Sequence, residues 1–327
     1  MKILKIIGGV LAAIALLISA GLVYFQTALP KVQEPTELDI EITSERVIRG
    51  EYLANSVCAC MDCHSTRDWQ LYSGPLKEGT LGKGGEIFNQ DFGFPGVFTS
   101  KNITPAGISD WTDGELFRLI TTGVTKSNEP IFPVMPYLKY GQMAEEDVYA
   151  IIAYLRSLEP IENDVVASKA DFPMNFILRT IPKNSSPQPI PDKNDQIAYG
   201  AYLTNAAACA DCHTPQDKGQ PIEGLEFAGG FEFKLPEFGT IRSANITPDP
   251  ETGIGNWTEE FFVQKFKAYV DSSYIAPELT QGDMQTVMPW TMYGNMTEED
   301  LKAIYAYLKT VKPVKNKFEK HSPLAGL

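Results

Sequence analysis

Five cysteines and three histidines are all the thiols and imidazoles this 327-residue chain has. Four of those cysteines and two of those histidines fall into two copies of one pattern, Cys60-Met-Asp-Cys63-His64 and Cys209-Ala-Asp-Cys212-His213. The spacing Cys-x-x-Cys-His is that of covalent haem c attachment. Each thiol adds to one porphyrin vinyl group, the two intervening residues set the reach, and the histidine that follows gives its imidazole to the iron. Competing chemistries use the residues badly. A structural zinc site needs four nitrogen or sulfur ligands held together; two Cys-x-x-Cys pairs could supply them, but each following histidine would then be an accident. A redox thiol pair of the thioredoxin kind needs a βαβ setting and has no reason to recur with a histidine. The expected cofactor is therefore haem c, two per chain and covalent. Cys58 has no histidine at the right spacing and reads as a small, part-buried residue.

The second axial ligand decides whether such irons are open catalytic sites or closed electron carriers. His321, the third histidine, lies in the C-terminal stretch KFEKHSPLAGL and reads as a solvated tail residue, so the chain cannot supply bis-histidine ligation at both irons. Methionine is the next candidate. Met135 in VMPY and Met288 in VMPW occupy equivalent places, each followed by a proline that stiffens the loop. The expected iron ligands are His64 with Met135 and His213 with Met288; the paired Met143 and Met296 rank second. Histidine–methionine ligation raises the reduction potential and fills both axial positions, which favours electron transfer over haem catalysis. No catalytic residue is expected. A carbonyl near Pro75 or Pro221 is the candidate acceptor for the proximal imidazole N–H. Arg67, Trp69, Trp111 and Trp257 are further candidates for haem-edge contact, with core packing the expected role of the tryptophans.

The elements that must position these residues occur twice. RGEYLANSVCACMDCH answers YGAYLTNAAACADCH, the string NITP recurs before a tryptophan, and VMPYLKYGQMAEEDVYAIIAYL answers VMPWTMYGNMTEEDLKAIYAYL. The first copy carries one extra residue between Leu53 and Cys60, relative to Leu203 and Cys209. Each half reads as three helices separated by long loops. The first precedes the Cys-x-x-Cys-His motif. The second starts at a capping box, Thr112 with Glu115 in the first half. The third carries the stripes Val148, Ile151, Ile152, Leu155 and Leu301, Ile304, Tyr305, Leu308 at helical spacing. Gly50 and Gly200 in the first helices would let the third cross closely, with Tyr154 and Tyr307 against them. Five Asn-x-Ser/Thr sequons occur, at Asn102, Asn184, Asn245, Asn256 and Asn295; two sit in the repeated NITP string, which points to a structural role.

Ile6 to Phe25 is uncharged and long enough to span a bilayer as a helix. Lys2 and Lys5 precede it and hold the N-terminus on the cytoplasmic side, so the remainder is expected in the periplasm, beyond a bacterial cytoplasmic membrane. A cleaved signal peptide is the alternative. The formal net charge of −13 argues against nucleic acid and for basic or neutral docking partners. With four cysteines committed to haem no disulfide framework is left. The fold expected is all-α, two tandem class I cytochrome c-like domains with long loops and an N-terminal transmembrane helix: anchor 1–30, first domain 31–160, linker 161–194, second domain 195–315 and tail 316–327. The linker's centre, FPMNFILRTIP, is apolar enough to pack across both domains.

The repeated NITP and tryptophan string, the Val-Met-Pro loop and the DFPMNF linker resemble those of the dihaem and trihaem membrane-anchored cytochrome c subunits of bacterial dehydrogenases, over residues from about 47 to 312. In that family the positions matching Cys60, Cys63, His64, Met135, Cys209, Cys212, His213 and Met288 bind haem. The resemblance implies a relay from a periplasmic dehydrogenase that oxidises alcohols, aldehydes, sugars or N-heterocycles, through two haems, to a respiratory oxidase or a small soluble cytochrome. The chain departs from the three-haem members in having two haem motifs and an N-terminal anchor. The rival functions are a fixed dihaem subunit of a terminal oxidase and, as an enzyme, a dihaem peroxidase, which would need one open iron.

Overall fold

A computed structural model gives the architecture of residues 2–324. Close helix crossings build both halves. Ser44–Tyr52 crosses Glu145–Ser157 in the first, and Gln196–Ala206 crosses Glu298–Leu308 in the second. A Cβ on Gly50 would stand 1.8 Å from the Ala150 carbonyl oxygen, and one on Gly200 1.9 Å from that of Ala303. Tyr154 and Tyr307 lie against the same two glycines, 2.8 and 3.0 Å from those positions, as the sequence implied. The middle helix of the first half, Asp113–Thr122, begins at the expected capping box, and its counterpart is Glu259–Lys267, capped by Thr258.

The extra residue before the first motif is absorbed as a π-helical turn, Leu53–Val57, closed by Cys58 N–H donating to the Leu53 carbonyl (2.7 Å). A π turn is an α-helix with one residue inserted. It lets both halves arrive at their motifs alike, through a left-handed alanine: Ala59 at φ 49° and Ala208 at φ 51°.

The two halves meet through reciprocal contacts. Tyr52 donates to Asp300 (2.5 Å) and accepts the Thr297 amide (3.1 Å). Tyr202 donates to Asp147 (2.6 Å) and accepts the Ala144 amide (3.3 Å). Tyr52 and Tyr202 are equivalent in the repeat, as are Asp147 and Asp300, so each half's first helix caps the other half's last helix, in the manner of an isologous contact. Arg49 adds a bidentate ion pair to buried Asp147 (both 2.8 Å). One buried apolar cluster runs through both halves.

Three expectations need correction. The chain is not all-α. Ile87–Phe88, Gly96–Thr99 and Lys169–Ala170 form one antiparallel sheet, Glu232–Leu235, Gly239–Arg242 and His321–Ser322 a second, and Gln216–Asp217 pairs with Gln220–Pro221. Strands of two to four residues are too short to show an alternation, and they lie in what read as long loops. His321 is not a solvated tail residue: it pairs with Ile241, and its Nε2 sits 2.7 Å from the Phe238 carbonyl. The linker, expected to pack across both halves, is tied by its described hydrogen bonds to one side. Its hydrogen bonds run to the first half and its approach, from Asn163 to the Lys83 carbonyl, Ser186 N–H to Gly141, and Arg179 to Glu129 and the Leu29 carbonyl, while Phe172 stays 83% exposed. Lys2–Ala28 is one helix, mean hydropathy 2.6, long and apolar enough to cross a membrane, with none of its window buried.

Candidate functional site

Each Cys-x-x-Cys-His motif is one helical turn, Cys60–His64 and Cys209–His213. Helical spacing puts positions one, four and five on a common face, so both thiols and the imidazole point the same way. All five cysteines are free. Burial pushes the thiols of Cys60, Cys63 and Cys209 up to about 12, so they are neutral. Cys58, read as part-buried, is 8% exposed and sits in the core with its Sγ 3.9 Å from Met143 Sδ.

His64 Nδ1 lies 2.7 Å from the Lys101 carbonyl and His213 Nδ1 2.7 Å from the Ala244 carbonyl. A carbonyl can only accept, so Nδ1 carries the proton and Nε2 is left with its lone pair. Burial lowers both imidazole pKa values, which keeps the rings neutral. The acceptor is therefore not near Pro75 or Pro221. It is the residue before each NITP string, and that string has a job. Asn102 Oδ1 accepts from Thr104 N–H (3.0 Å) and Oγ1 (2.7 Å), and its Nδ2 donates to the Ile161 carbonyl (2.7 Å). Asn245 does the same with Thr247 (2.9 and 2.8 Å) and the Val314 carbonyl (2.7 Å). Gly84 and Gly229 close the clamp: their amides donate to the carbonyls of His64 and His213, both at 2.7 Å. A Cβ on either would come within 2.7 Å of the acceptor carbonyl oxygen. The sequence held a signal in the recurrence of NITP after each motif, but a backbone acceptor carries no residue type.

Arg67 is buried, donating to Asp62 (2.7 Å) and to the carbonyls of Ser73 and Gly74 (2.8 and 2.9 Å), with its guanidinium 3.9 Å from the centre of the Trp69 ring. Burial pushes the Asp62 carboxyl up to about 6, against the pull of Arg67. Trp69 Nε1 donates to Glu86 (2.6 Å), and Trp111 and Trp257 pack against the core.

Met135 and Met288 are half-buried, each at the start of a short helical turn, Tyr137–Tyr140 and Trp290–Tyr293. The last tyrosine of each turn ties it back beside a motif. Tyr140 donates to the Cys58 carbonyl (3.1 Å), and Tyr293 to that of Ala207 (2.9 Å), the equivalent residue counted back from the first motif cysteine. Both methionine loops are thus drawn to their own Cys-x-x-Cys-His turn. Met143 and Met296, by contrast, are enclosed in the core, each 1% exposed. Among the described residues no group of three or more His, Cys, Asp or Glu could hold a metal ion by itself. The donor set, two unpaired thiols and an Nε2 lone pair on one helical face with a thioether loop nearby, fits haem c.

Comparison with known proteins gives the class. The cytochrome c family model matches residues 197–312. The chain is 29% identical over 288 residues to the cytochrome c subunit of a quinone alcohol dehydrogenase of Gluconacetobacter polyoxogenes, covering 83% of this chain and 57% of that one. It is 27% identical to the gluconate 2-dehydrogenase cytochrome c subunit of Pantoea cypripedii, covering 84% and 61%. It is 29% identical over 314 residues to a diheme c-type cytochrome of Cereibacter sphaeroides, covering 93% and 98%. The chain thus spans between half and two thirds of the length of the dehydrogenase subunits it matches. Residues 197–312 are a cytochrome c domain, whose cofactor is covalently bound haem c. More narrowly, the chain is similar to the cytochrome c subunits of two dehydrogenases and to a diheme c-type cytochrome.

Proposed function

We propose that the chain carries two haems c in two tandem domains, 31–160 and 195–315. Cys60, Cys63, His64 and Met135 would hold one haem, and Cys209, Cys212, His213 and Met288 the other. Residues 1–30 anchor the protein in the bacterial cytoplasmic membrane with both domains in the periplasm, joined by the linker 161–194. The tail, 316–327, lies partly outside the described residues. Bound haem c supplies a one-electron couple at iron. The chain's own residues do the rest. The carbonyls of Lys101 and Ala244 take the imidazole N–H of His64 and His213 and raise the basicity of the opposite nitrogen. The Val-Met-Pro loops would offer the thioethers of Met135 and Met288 as the further iron ligands, and a haem held so would pass electrons rather than turn over a substrate. The donor is a periplasmic dehydrogenase and the acceptor a respiratory oxidase or a small cytochrome. The single observation that carries this reading is the duplicated clamp: two histidines, each ending a Cys-x-x-Cys turn, each 2.7 Å from the carbonyl that precedes an NITP string.

The test is the alkaline pyridine haem assay on the purified full chain, combined with substitution. Two haems per chain are expected, reduced to one covalent haem of normal linkage by Cys60→Ala or Cys212→Ala and unchanged by Cys58→Ser. A count of one, or loss of a haem in Cys58→Ser, refutes the assignment.

A further inference from the structure

The loop after the first Cys-x-x-Cys-His does not stay in its own half. Tyr72 N–H donates to the Pro277 carbonyl (2.8 Å) and Leu279 N–H to that of Gln70 (2.7 Å), so Leu71 and Glu278 form an antiparallel bridge across the halves. Beyond it, Gln285 is wholly buried. Its Nε2 donates to the carbonyls of Trp69 and Leu71, both at 3.0 Å, and its Oε1 accepts the Ser73 amide at 2.8 Å. Ser73, equally buried, donates through Oγ to the Met288 carbonyl (2.8 Å) and accepts the Trp290 amide (3.3 Å). A hydroxyl from the first half thus grips the peptide units on both sides of Pro289, the residue that follows Met288 in the second.

The arrangement is imposed on the chain. Ser73 stands at φ 66°, in the left-handed region that a non-glycine residue enters only when its surroundings demand it. What holds it there is Arg67, whose guanidinium takes the carbonyls of Ser73 and Gly74 and the Asp62 carboxylate within the first motif. The second half reaches the turn after Met135 by another route, Asn205 Nδ2 donating to the Lys139 carbonyl (3.0 Å) and Asp211 pairing with Lys139 (3.5 Å), and not through the loop after its motif. The residue equivalent to Arg67, counted from the histidine, is Gln216, whose amide turns to the Asp211 carbonyl in its own half. Among the described hydrogen bonds none runs from residues 214–221 to the loop that carries Met135.

A thioether is a neutral, weak ligand with no charge to draw it to a metal, so its placement depends on the rigidity of the loop behind it. We propose that Ser73 and Gln285 are positioning residues for Met288, so that the first half sets the axial sulfur of the second half's haem site. This rests on the reading of Met288 as a ligand, and the experiment separates the two. In the full-length haem-loaded chain in detergent, each bound methionine gives its own shifted methyl resonance in the reduced protein and contributes to the sulfur–iron charge-transfer absorption of the oxidised one. Met288→Ala should remove one methyl resonance and leave the other; if both survive, the ligand reading fails whatever Ser73 does. Given that result, Ser73→Ala and Gln285→Leu should broaden or abolish the resonance lost in Met288→Ala. They should lower the potential of that haem alone, with two haems still attached. Ser73→Gly removes the same hydroxyl while relieving the positive φ, so it tests the bond in a chain with less backbone strain, and the same loss is expected. Wild-type resonances and potentials in all three variants would overturn the proposal, as would a change confined to the haem of the first motif.

Discussion

Replacing Gly50 or Gly200 with alanine sets two physical effects against each other. On local grounds the change should stabilise, because alanine in a helix interior is better than glycine by about 1 kcal/mol. The crossing geometry says otherwise. A Cβ at Gly50 would be 1.8 Å from the Ala150 carbonyl oxygen, and at Gly200 1.9 Å from that of Ala303. Those neighbours are helical backbone, which cannot rotate aside, so the helices must part by more than 1 Å to reach a contact that real Cβ atoms tolerate. A gap of 0.5–1 Å forfeits about a quarter to a half of the dispersion well for every atom pair along the seam. Overpacking of this kind costs about 1–3 kcal/mol, and the upper end applies where backbone meets backbone. The net expectation is a loss of about 2 kcal/mol, localised to the half that carries the substitution. The assay is guanidinium unfolding of the haem-loaded chain, followed by helical circular dichroism and by the haem absorption. Gly50→Ala should lower the midpoint of the first half, and Gly200→Ala that of the second. Gly9→Ala, where a Cβ would meet nothing within 4 Å, serves as the neutral comparison. Stability equal to or above wild type in either crossing variant would show that the helices do not meet as described.

Tyr52→Phe and Tyr202→Phe should each cost about 1–3 kcal/mol, because each strips a hydroxyl from a buried carboxylate, Asp300 or Asp147. In a double-mutant cycle with the other half's Tyr, coupling well above 0.5 kcal/mol would show that the two contacts act as one seam. Burial, and then the facing carboxylate, hold both tyrosine pKa values above the usual 10 in the folded chain. Their stabilisation is therefore complete below about pH 10 and is lost as pH rises further. Beyond that point the stability–pH profile should fall, less steeply in the double Phe variant; a steeper fall in that variant would contradict the assignment. Asn102→Ala or Asn245→Ala should loosen the carbonyl that accepts the imidazole N–H, weaken the histidine as a donor and raise the potential of that haem alone, read by redox titration. Oxidation of the reduced chain by a small basic cytochrome c should slow with added salt, since a net charge of −13 steers the encounter and screening sets in over about 10 Å at 0.1 M.

The helices and the motifs were legible because both write themselves in residue types. Leu301, Ile304 and Leu308 show their face by period, and Gly50 and Gly200 announce a close crossing by being the wrong residue for a helix interior. What stayed hidden was carried by backbone. The carbonyls of Lys101 and Ala244 could belong to any residue, and only the Asn-Ile-Thr-Pro string beside them marks the place. The short strands were invisible for a related cause: Gly96–Thr99 and Gly239–Arg242 are too brief for alternation, and one partner of each, Lys169–Ala170 and His321–Ser322, lies far along the chain.

The repeat was both the best guide and the source of the main omission. Aligning the halves directs attention to what they share, and the Tyr52 and Tyr202 contacts obey that symmetry. The single extra residue before Cys60 ends as a π turn that preserves the shared geometry around Ala59 and Ala208. The residues that differ between the copies do the opposite. Arg67 stands where the second half has Gln216, and this one exchange lets the loop at Ser73 be pinned under Met288. Two sites built from one duplicated plan are thereby made unequal. In the relay proposed here, unequal surroundings would give the two haems different potentials, and the place to look for the origin of that difference is where the two copies cease to match.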